Sequence, residues 1–268
     1  MNYVPNLPDD TVNSPATHPL ATATKLLASL ALIATVLYLL ASALLNYAVE
    51  NVTPEQEQKL ASLFHVQTPT SEANTTYLQK VTDKLAACAA LPYPVQIHLL
   101  ETDEPNAFAA PGGAIYITTG ILSKMESENE LAFILGHELG HFKHKDHLRS
   151  LGVRLILGVI GLVLGSDLGM AGEITIGIGS ARYSQSAELA ADAFGLEVMQ
   201  CAYGTVAEAT KMFEKMDTGD EWRYFLATHP GFQTRITQMT KLIKSNGYDT
   251  THPPIPLGIN LTKWKGKS

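Results

Sequence analysis

The sequence predicts a predominantly helical α+β domain with a small β-sheet or hairpin, preceded by an N-terminal transmembrane helix. Three observations support this fold class. Residues 26–49 contain no charged side chain, residues 95–118 hold short segments in which apolar and polar residues alternate, and most other segments have apolar residues at helical spacing. We expect a disordered tail over 1–24, an anchor over 26–49, a folded domain over 55–247 and a C-terminal tail over 248–268.

The apolar run is long enough to cross a membrane. About 24 helical residues extend roughly 36 Å, and a hydrocarbon core is about 30 Å thick. A cleavable signal peptide, cut after Ala41-Ser42-Ala43, is the alternative, but the apolar core of a signal is only about 7–15 residues long. We therefore expect a retained single-pass anchor. Lys25 beside the run favours a folded domain on the non-cytoplasmic side of the membrane.

Charge and cysteine content exclude some classes of protein. The formal net charge is −7, so the basic face expected of a nucleic-acid-binding protein is missing. Cys88 and Cys201 are too few for a disulfide framework, and two unpaired core thiols are favoured over one disulfide, although sequence alone does not show pairing. Neither cysteine lies in a CxxC pair, so a sulfur-ligated metal is not expected.

Strand signals are concentrated before the middle of the chain. VQIHLL (95–100) alternates apolar and polar residues. AFAAPGGAIYITTG (107–120) holds two short extended pieces separated by Pro111, Gly112 and Gly113. This pattern predicts a hairpin or a bulged edge strand.

A helix with an identifiable start carries HELGH at residues 137–141. Ser127 and Glu130 form a predicted capping box, and HELGH follows about three turns later. His137 and His141 are four residues apart, so both imidazoles project from one face and can bind one Zn²⁺. Glu138 can then reach a metal-bound water. Two glycines, at 136 and 140, disfavour a helix and suggest close approach of another backbone or of a substrate.

A third ligand is needed, and two candidates compete. His147 has the metzincin spacing, but that arrangement needs a glycine where His144 stands, so we expect the helix to continue and keep His147 away. Glu188 is favoured, because Glu188 and Asp192 share one face of another predicted helix. Glu188 can bind the ion while Asp192 accepts the free N–H of a ligand histidine.

His144 and His147 have a simpler interpretation than metal binding. They lie beside Lys143 and Lys145 near the predicted end of the HELGH helix. Cationic side chains suit a helix C-terminus, so we expect a solvated helix end here.

Four segments in this order resemble the HtpX and CAAX prenyl protease family of zinc metallopeptidases. They are NAFAAPGGAIYITTGIL, ENELAFILGHELGH, SQSAELAADAFGLEVM and THPGFQTRI, within about residues 95–240. The resemblance implies a zincin-like fold, in which the small sheet lies beside the HELGH helix. It implies one Zn²⁺ per chain and these site residues: His137, His141 and Glu188 as ligands, Glu138 as general base, Asp192 behind a ligand, and His229 and Arg235 in a loop facing the metal.

The resemblance also limits the substrates. Prenyl proteases have many more membrane spans, so CAAX substrates are not expected. The chain is similar to small single-anchor members implicated in envelope or organelle protein quality control. We expect extended or misfolded polypeptides as substrates, the membrane as a partner through the N-terminal helix, and no nucleic acid.

The expected chemistry is peptide-bond hydrolysis. Zinc lowers the pKa of bound water towards about 7, and Glu138 takes its proton and later delivers it to the leaving amine. Tyr183, His229 and Arg235 are candidate oxyanion donors, and His229 could instead occupy the open metal position in a resting enzyme. The alternative function is a non-catalytic membrane chaperone or scaffold, although structural zinc normally has four protein ligands.

Two further segments have expected roles. An edge strand beside the metal could pair with an extended substrate, with a covered hairpin as the alternative; the strand residues are Ala114, Ile115, Tyr116, Ile117 and Thr118. LILGVIGLVLG (155–165) is too short to span a membrane, and His141 and Glu188 must meet on one ion. We therefore expect a lid over the cleft, with a core helix or a membrane-surface element as alternatives.

Overall fold

A computed structural model describes residues 18–62, 72–163, 183–216 and 222–259. The predicted tails over 1–17 and 260–268 lie outside the described residues, as do most side chains of the predicted lid and everything from 164 to 182. The chain divides into two units, Met1–Ala48 and Val49–Ser268. The helices are α1 (Pro19–Glu50), α2 (Pro54–Ala61), α3 (Glu72–Ala89), α4 (Thr119–Leu122), α5 (Glu128–Lys143), α6 (Asp146–Val163), α7 (Gln185–Tyr203), α8 (Lys211–Met216), α9 (Arg223–Thr228) and α10 (Phe232–Asn246).

Helix α1 contains the predicted anchor and begins earlier than expected. Within the described residues it is the one helix long and apolar enough to cross a membrane, with a mean hydropathy of 2.3 in its most apolar window. Residues 19–24, predicted as part of a disordered tail, are helical. Pro19 suits a first helical position and the alanines that follow favour a helix, so the polar composition of this stretch was a misleading signal.

The strands are β1 (Gln96–Leu100), β2 (Ala107–Ala110) and β3 (Ala114–Thr118), in the order β1-β3-β2. The predicted hairpin is confirmed: β2 and β3 are antiparallel, and Gly112 and Gly113 turn between them with φ of 85° and 80°. The edge position predicted for β3 is wrong, because β1 pairs with its other side in parallel. The central strand β3 therefore has a hydrogen-bonded neighbour on both sides.

The core lies between one face of the sheet and helices α3, α5 and α7. Apolar side chains that alternate along the strands point into it, which is the arrangement expected when one sheet face is buried. Its fully buried members include Leu78 and Leu85 of α3, Leu99 of β1, and Ile115 and Ile117 of β3.

Helices α5 and α7 pack at very short range through small residues. A Cβ at Gly136 would lie 3.1 Å from the carbonyl oxygen of Gly195, and a Cβ at Gly140 would lie 2.7 Å from the Cα of Ala191. The expected close approach of another backbone is confirmed, and that backbone belongs to α7. The contact brings HELGH against the helix that carries Glu188.

The start of α5 is capped, but by half of the predicted box. Ser127 Oγ accepts from the Glu130 backbone N–H at 3.2 Å. The Glu130 carboxylate does not return to Ser127; it accepts from Lys215 Nζ at 2.8 Å. A buried carboxylate gains more from an ammonium than from a backbone amide, so the ion pair replaces the second capping bond.

The end of α5 differs from the prediction. The helix stops at Lys143 instead of continuing, and Lys145 adopts a left-handed conformation with φ of 55°. This conformation is costly for a residue other than glycine. It is offset by hydrogen bonds from Lys145 Nζ to the carbonyls of Val49 at 3.2 Å, Glu50 at 2.9 Å and Val52 at 3.1 Å.

The described part of the predicted C-terminal tail, residues 248–259, packs on the domain. The Glu128 N–H donates to Ile255 O at 2.8 Å, and the Ile255 N–H donates to Asn129 Oδ1 at 2.9 Å. Ser127 and Pro256 form an isolated β-bridge. Because these bonds supply partners to the first turn of α5, the segment is part of the folded unit.

Cys88 and Cys201 are joined in a disulfide across a sequence separation of 113 residues. The preference for two unpaired thiols is therefore wrong. Both residues lie in the last turns of their helices, α3 and α7, which pack side by side. The pairing depends on this tertiary contact, which cysteine spacing does not reveal.

Candidate metal centre

Four buried side chains from three segments converge in one cluster. His137 Nε2 and His141 Nε2 lie 3.1 Å apart. Glu188 places Oε2 3.5 Å from His137 Nε2 and Oε1 3.5 Å from His141 Nε2. His229 joins them, and one ligand atom from each of the four lies within 4.8 Å of the others.

Local structure explains how three of these groups meet. The i and i+4 spacing puts His137 and His141 on one face of α5. Glu188 lies in the first turn of α7, which begins where Ser184 Oγ accepts from the Ala187 N–H at 3.2 Å. The close contact between α5 and α7 then directs the Glu188 carboxylate at both imidazoles.

The chemistry of these residues fits a divalent cation such as Zn²⁺. Imidazole nitrogens with one carboxylate form a donor set typical of zinc sites. Among the described residues, moreover, neither carboxylate oxygen of the fully buried Glu138 has a hydrogen-bond partner. An unpartnered carboxylate beside this cluster is consistent with a site that holds a cation and water.

A carboxylate and a guanidinium lie behind His137. Asp192 Oδ1 is 2.9 Å from His137 Nδ1, so Nε2 faces the cluster. Arg235 donates to Asp192 through Nε at 2.7 Å and Nη2 at 2.6 Å, and its Nη1 lies 2.5 Å from Glu188 Oε2. Arg235 therefore fixes both carboxylates.

The location predicted for Arg235 requires correction. It lies on helix α10 and not in a loop facing the metal. Its guanidinium is bound between Asp192 and Glu188, so it contributes charge and position to the carboxylates and is not a free oxyanion donor. The THPGFQTRI segment continues from loop into helix at Phe232, which explains the difference.

Electrostatics favour ionised carboxylates and a neutral His137. Burial by itself would raise the pKa of Glu188, but the neighbouring His229 and Arg235 side chains hold that pKa well below its ordinary value. Burial opposes ionisation of Asp192 too, and Arg235 outweighs it, lowering the pKa of Asp192. Burial and the Arg235 charge lower the pKa of His137. These protonation states are the ones that cation binding requires. His141 differs: burial lowers its pKa, but the hydrogen bonds with Asp146 and Glu188 outweigh burial and raise the pKa to about 10, so a cation would have to displace its proton.

His229 links the cluster to the sheet. Its Nδ1 lies 3.2 Å from both carboxylate oxygens of Glu188 and 3.4 Å from His137 Nε2. Its Nε2 lies 3.2 Å from the carbonyl oxygen of Ala107 on β2. The Phe225 ring stacks on the imidazole with ring centroids 4.6 Å apart. His229 thus lies against the cluster and contacts the edge strand of the sheet.

The predicted substrate strand Ala114–Thr118 is separated from the cluster by β2. As the central strand, its main-chain groups pair with β1 and β2. The strand nearest α5 is β2, and its Ala107 carbonyl faces His229. Alternation along the sequence identified strands but did not give their order.

Two further residues contact the His141 side chain, and the sequence had indicated only one of them, Tyr183. Asp146 Oδ2 lies 3.2 Å from His141 Nδ1. Tyr183, a predicted oxyanion donor, stacks its ring on His141 with centroids 3.8 Å apart, and its buried hydroxyl has no hydrogen-bond partner among the described residues. The sequence did not predict the contact between Asp146 and His141. That contact depends on the turn at Lys145, and neither a glycine nor a proline marks this turn in the sequence.

The prediction of a solvated helix end is wrong for His147, whereas His144 is the half-buried C-cap of α5. His147 is buried, with Nε2 2.9 Å from Glu57 Oε1 and Nδ1 3.2 Å from the carbonyl oxygen of His141. Glu57 also accepts from the Gly112 N–H at 3.0 Å. His147 therefore connects α2 with the end of α5 and lies outside the metal cluster.

Comparison with known proteins finds relatives that are all named as proteases or metalloendopeptidases. The chain is 25% identical over 180 residues to "Mitochondrial metalloendopeptidase OMA1" of Schizosaccharomyces pombe, covering 64% of this chain and 53% of that protein. It is 36% identical over 99 residues to "Protease HtpX homolog" of Acidiphilium cryptum, covering 35% and 34%. It is 30% identical over 182 residues to "Metalloendopeptidase OMA1, mitochondrial" of Danio rerio, covering 59% and 37%.

These alignments span about a third to a half of each relative's own length. The family model described as "Peptidase family M48" matches residues 72–243, which includes every residue of the buried cluster. The resemblance identified in the sequence is confirmed. The chain belongs to peptidase family M48.

Proposed function

We propose that this protein is a membrane-anchored zinc endopeptidase with one Zn²⁺ held by His137, His141 and Glu188. The observation that carries the proposal is the convergence of two imidazoles and a carboxylate beside the buried Glu138, whose oxygens have no hydrogen-bond partner among the described residues. The proposed organisation is an anchor over 26–49, within α1, and a peptidase domain over 55–247 to which the packed segment 248–259 belongs.

The protein's own residues have distinct tasks in this proposal. A Zn²⁺ ion bound here would supply Lewis-acid chemistry, polarising water and the scissile carbonyl. Asp192 holds the His137 imidazole so that Nε2 faces the cluster. Glu138 accepts a proton from the attacking water and transfers it to the leaving amine, a role open to a carboxylate whose one close basic neighbour among the described residues, His229 Nε2, lies 3.9 Å away. The Tyr183 hydroxyl is the available donor to the developing oxyanion.

His229 distinguishes the resting site from a working one. We infer that its Nδ1 occupies the fourth position of the cluster at rest, since it lies as close to Glu188 as the other histidines do. Its bond to Ala107 holds it there. Substrate entry then requires His229 to move or to become a hydrogen-bond donor to the substrate.

The same residue supports the second candidate function. A site closed by four protein ligands is typical of structural zinc, and His229 supplies a fourth. In this alternative the protein is a non-catalytic membrane chaperone or scaffold. The two functions differ in whether Glu138 is needed and in whether His229 is displaceable.

The proposed substrates are extended or misfolded polypeptides of membranes or envelopes, following the family resemblance. Strand β2 is the sheet edge beside α5, and an extended peptide could pair with its main chain. In an antiparallel strand, alternate residues direct their main-chain groups away from the neighbouring strand. Ala107 does so, because its carbonyl reaches His229.

The disulfide indicates on which side of the membrane the peptidase domain lies. Structural disulfides persist in oxidising compartments and are rare in the cytosol. The Cys88–Cys201 bond therefore supports a peptidase domain on the non-cytoplasmic side, the side that Lys25 also favours. Protease protection of sealed vesicles tests this topology: digestion of the domain from the cytoplasmic face would contradict it.

Casein hydrolysis by the purified full chain in detergent tests the proposed activity. Glu138→Gln should retain zinc and lose at least about 100-fold in turnover, in line with the usual contribution of a general base. Glu197→Gln, on the exposed side of α7, is the matched control and should cleave at the wild-type rate. Full turnover by Glu138→Gln would rule out the proposed mechanism.

His229→Ala separates the two functions. An endopeptidase whose resting site is closed by His229 should change in turnover, upward if the residue mainly blocks the site and downward if it serves as a donor. A scaffold should show no hydrolysis in either form and weaker zinc binding in His229→Ala. Unchanged turnover in an active enzyme would remove both proposed roles of His229.

A further inference from the structure

We propose that Asp146 is a positioning residue for His141, fixing which imidazole nitrogen faces the cluster. The inference rests on the proposed zinc site. Asp146 Oδ2 lies 3.2 Å from His141 Nδ1. The opposite nitrogen, Nε2, lies 3.1 Å from His137 Nε2 and 3.5 Å from Glu188 Oε1. The carboxylate and the cluster therefore contact opposite nitrogens of one ring.

The chemical consequence concerns the imidazole tautomer. A carboxylate at Nδ1 accepts a hydrogen bond, so the proton of a neutral imidazole resides on Nδ1 and the lone pair on Nε2. Asp192 stands in the same relation to His137, at 2.9 Å from Nδ1. Each helical histidine thus has its own carboxylate, one from α7 and one from the start of α6.

Asp146 is held in place on its other side. It is 8% exposed, and its Oδ1 lies 3.4 Å from Arg149 Nη1 one turn along α6. As the first residue of that helix, it also lies at the end where a negative charge is stabilised. The contact with Arg149 therefore holds the carboxylate on the side away from His141 and keeps it oriented towards the imidazole.

The turn before α6 is what brings Asp146 to His141. In a continuous helix, a residue five positions later would lie roughly 140° around the axis. Instead, α5 ends at Lys143, and Lys145 adopts a left-handed conformation with φ of 55° before α6 begins at Asp146. Three carbonyls hold the Lys145 ammonium in place, those of Val49, Glu50 and Val52. The position of Asp146 is thus determined by contacts outside α5 itself.

Zinc affinity of the full chain in detergent tests the role without relying on turnover. Zn²⁺ is titrated against a chelating dye for wild type, Asp146→Asn and Asp146→Ser. We expect affinity about 10–100-fold weaker in both variants, the usual effect of removing the partner of a ligand histidine. Asp146→Ser provides a second, smaller side chain if the Asn variant does not fold. Unchanged affinity in either folded variant would overturn the proposal.

Two comparisons make the result specific. Asp249→Asn removes the charge from another Asp–His pair, in which His252 Nδ1 lies 2.9 Å from Asp249 Oδ1 on an exposed loop; its zinc affinity should equal that of wild type. In a His141→Ala background, Asp146→Asn should cause no further loss, because its effect acts through His141. An additional loss of the same size in that background would contradict the positioning role.

Failure of the proposed function has a different signature. If wild type binds no Zn²⁺, the zinc site and the Asp146 proposal both fall. If wild type binds Zn²⁺ and cleaves casein while Asp146→Asn and Asp146→Ser bind with wild-type affinity, only the Asp146 proposal falls.

Discussion

Gly140 and Ala191 face each other so closely that a β-carbon at residue 140 would lie 2.7 Å from the Cα of Ala191. This contact sets the distance between the helix that carries His137 and His141 and the helix that carries Glu188. A separation this short cannot be accommodated by a side-chain rotation, since the opposing atom is backbone. Helix packing and the geometry of the proposed metal site are therefore coupled at Gly140.

Gly140→Ala should weaken both stability and zinc binding. The added methyl forces α5 and α7 apart, at a cost of about 1–3 kcal/mol for overpacking, and moves Glu188 away from the imidazoles. Gly136→Ala is the comparison variant, because its Cβ would lie 3.1 Å from the Gly195 carbonyl oxygen, a less severe clash. Its losses of stability and zinc affinity should be smaller. Thermal unfolding and zinc titration measure the two effects. Wild-type zinc affinity in a folded Gly140→Ala variant would show that the spacing is not critical.

The fold was predictable to the extent that local patterns specify elements. Alternation identified the strands, and a run without charges identified α1 as the candidate membrane span. Strand order was not predictable, because β1 joins β3 through a long-range parallel pairing that periodicity does not encode. The Cys88–Cys201 bond was missed for the same reason: it depends on α3 lying beside α7.

The residues of the candidate site likewise include some that were predictable from the sequence and one that was not. His137, Glu138 and His141 follow from helical spacing, and Glu188 and Asp192 follow from the same rule on a second helix. Asp146 could not be found this way, because the helix ends at Lys143 and Lys145 turns the chain without a glycine. A lysine that binds three carbonyls can stabilise a conformation that its own residue type disfavours.

Removing the disulfide should destabilise the domain. Cys88→Ser with Cys201→Ser opens a cross-link between residues 113 apart in sequence, and a native disulfide of this kind contributes about 2–5 kcal/mol. Thermal unfolding with and without reductant measures the loss. The double variant is its own control, since reductant should lower the melting temperature of wild type alone. Equal sensitivity of both proteins to reductant would contradict the assignment.

Glu57 should stabilise the domain in a pH-dependent way. Burial alone would raise its pKa, but hydrogen bonds and charge from His147, with the Gly112 N–H, lower the pKa of Glu57 below its ordinary value. A lowered folded-state pKa means that the stabilisation is fully present above the unfolded pKa of about 4.3 and is lost as the pH falls through the folded value.

Glu57→Gln tests this dependence. The variant should be less stable than wild type by about 1–3 kcal/mol near neutral pH, and the difference should shrink as the pH falls below about 4. Denaturant unfolding at several pH values measures it, with the exposed Glu197→Gln as a control that should match wild type throughout. A difference that grows in acid would contradict the assigned sign.

Pairing of a substrate with β2 should be visible in modified peptides. N-methylation removes one main-chain donor at a time, so cleavage of a model peptide should fall at alternate positions, in keeping with the alternation of main-chain groups along a strand. The unmodified peptide and side-chain alanine substitutions serve as controls. Uniform tolerance of N-methyl groups along the peptide would argue against strand pairing.

Zinc content per chain is the most direct test of the shared ion. Elemental analysis of the purified full chain should give about one Zn²⁺ per wild-type protein and essentially none in the double variant His137→Ala with His141→Ala, because three donors define the site. Glu188→Gln should fall between them. Stoichiometric zinc in the double histidine variant would place the ion elsewhere and contradict the proposed centre.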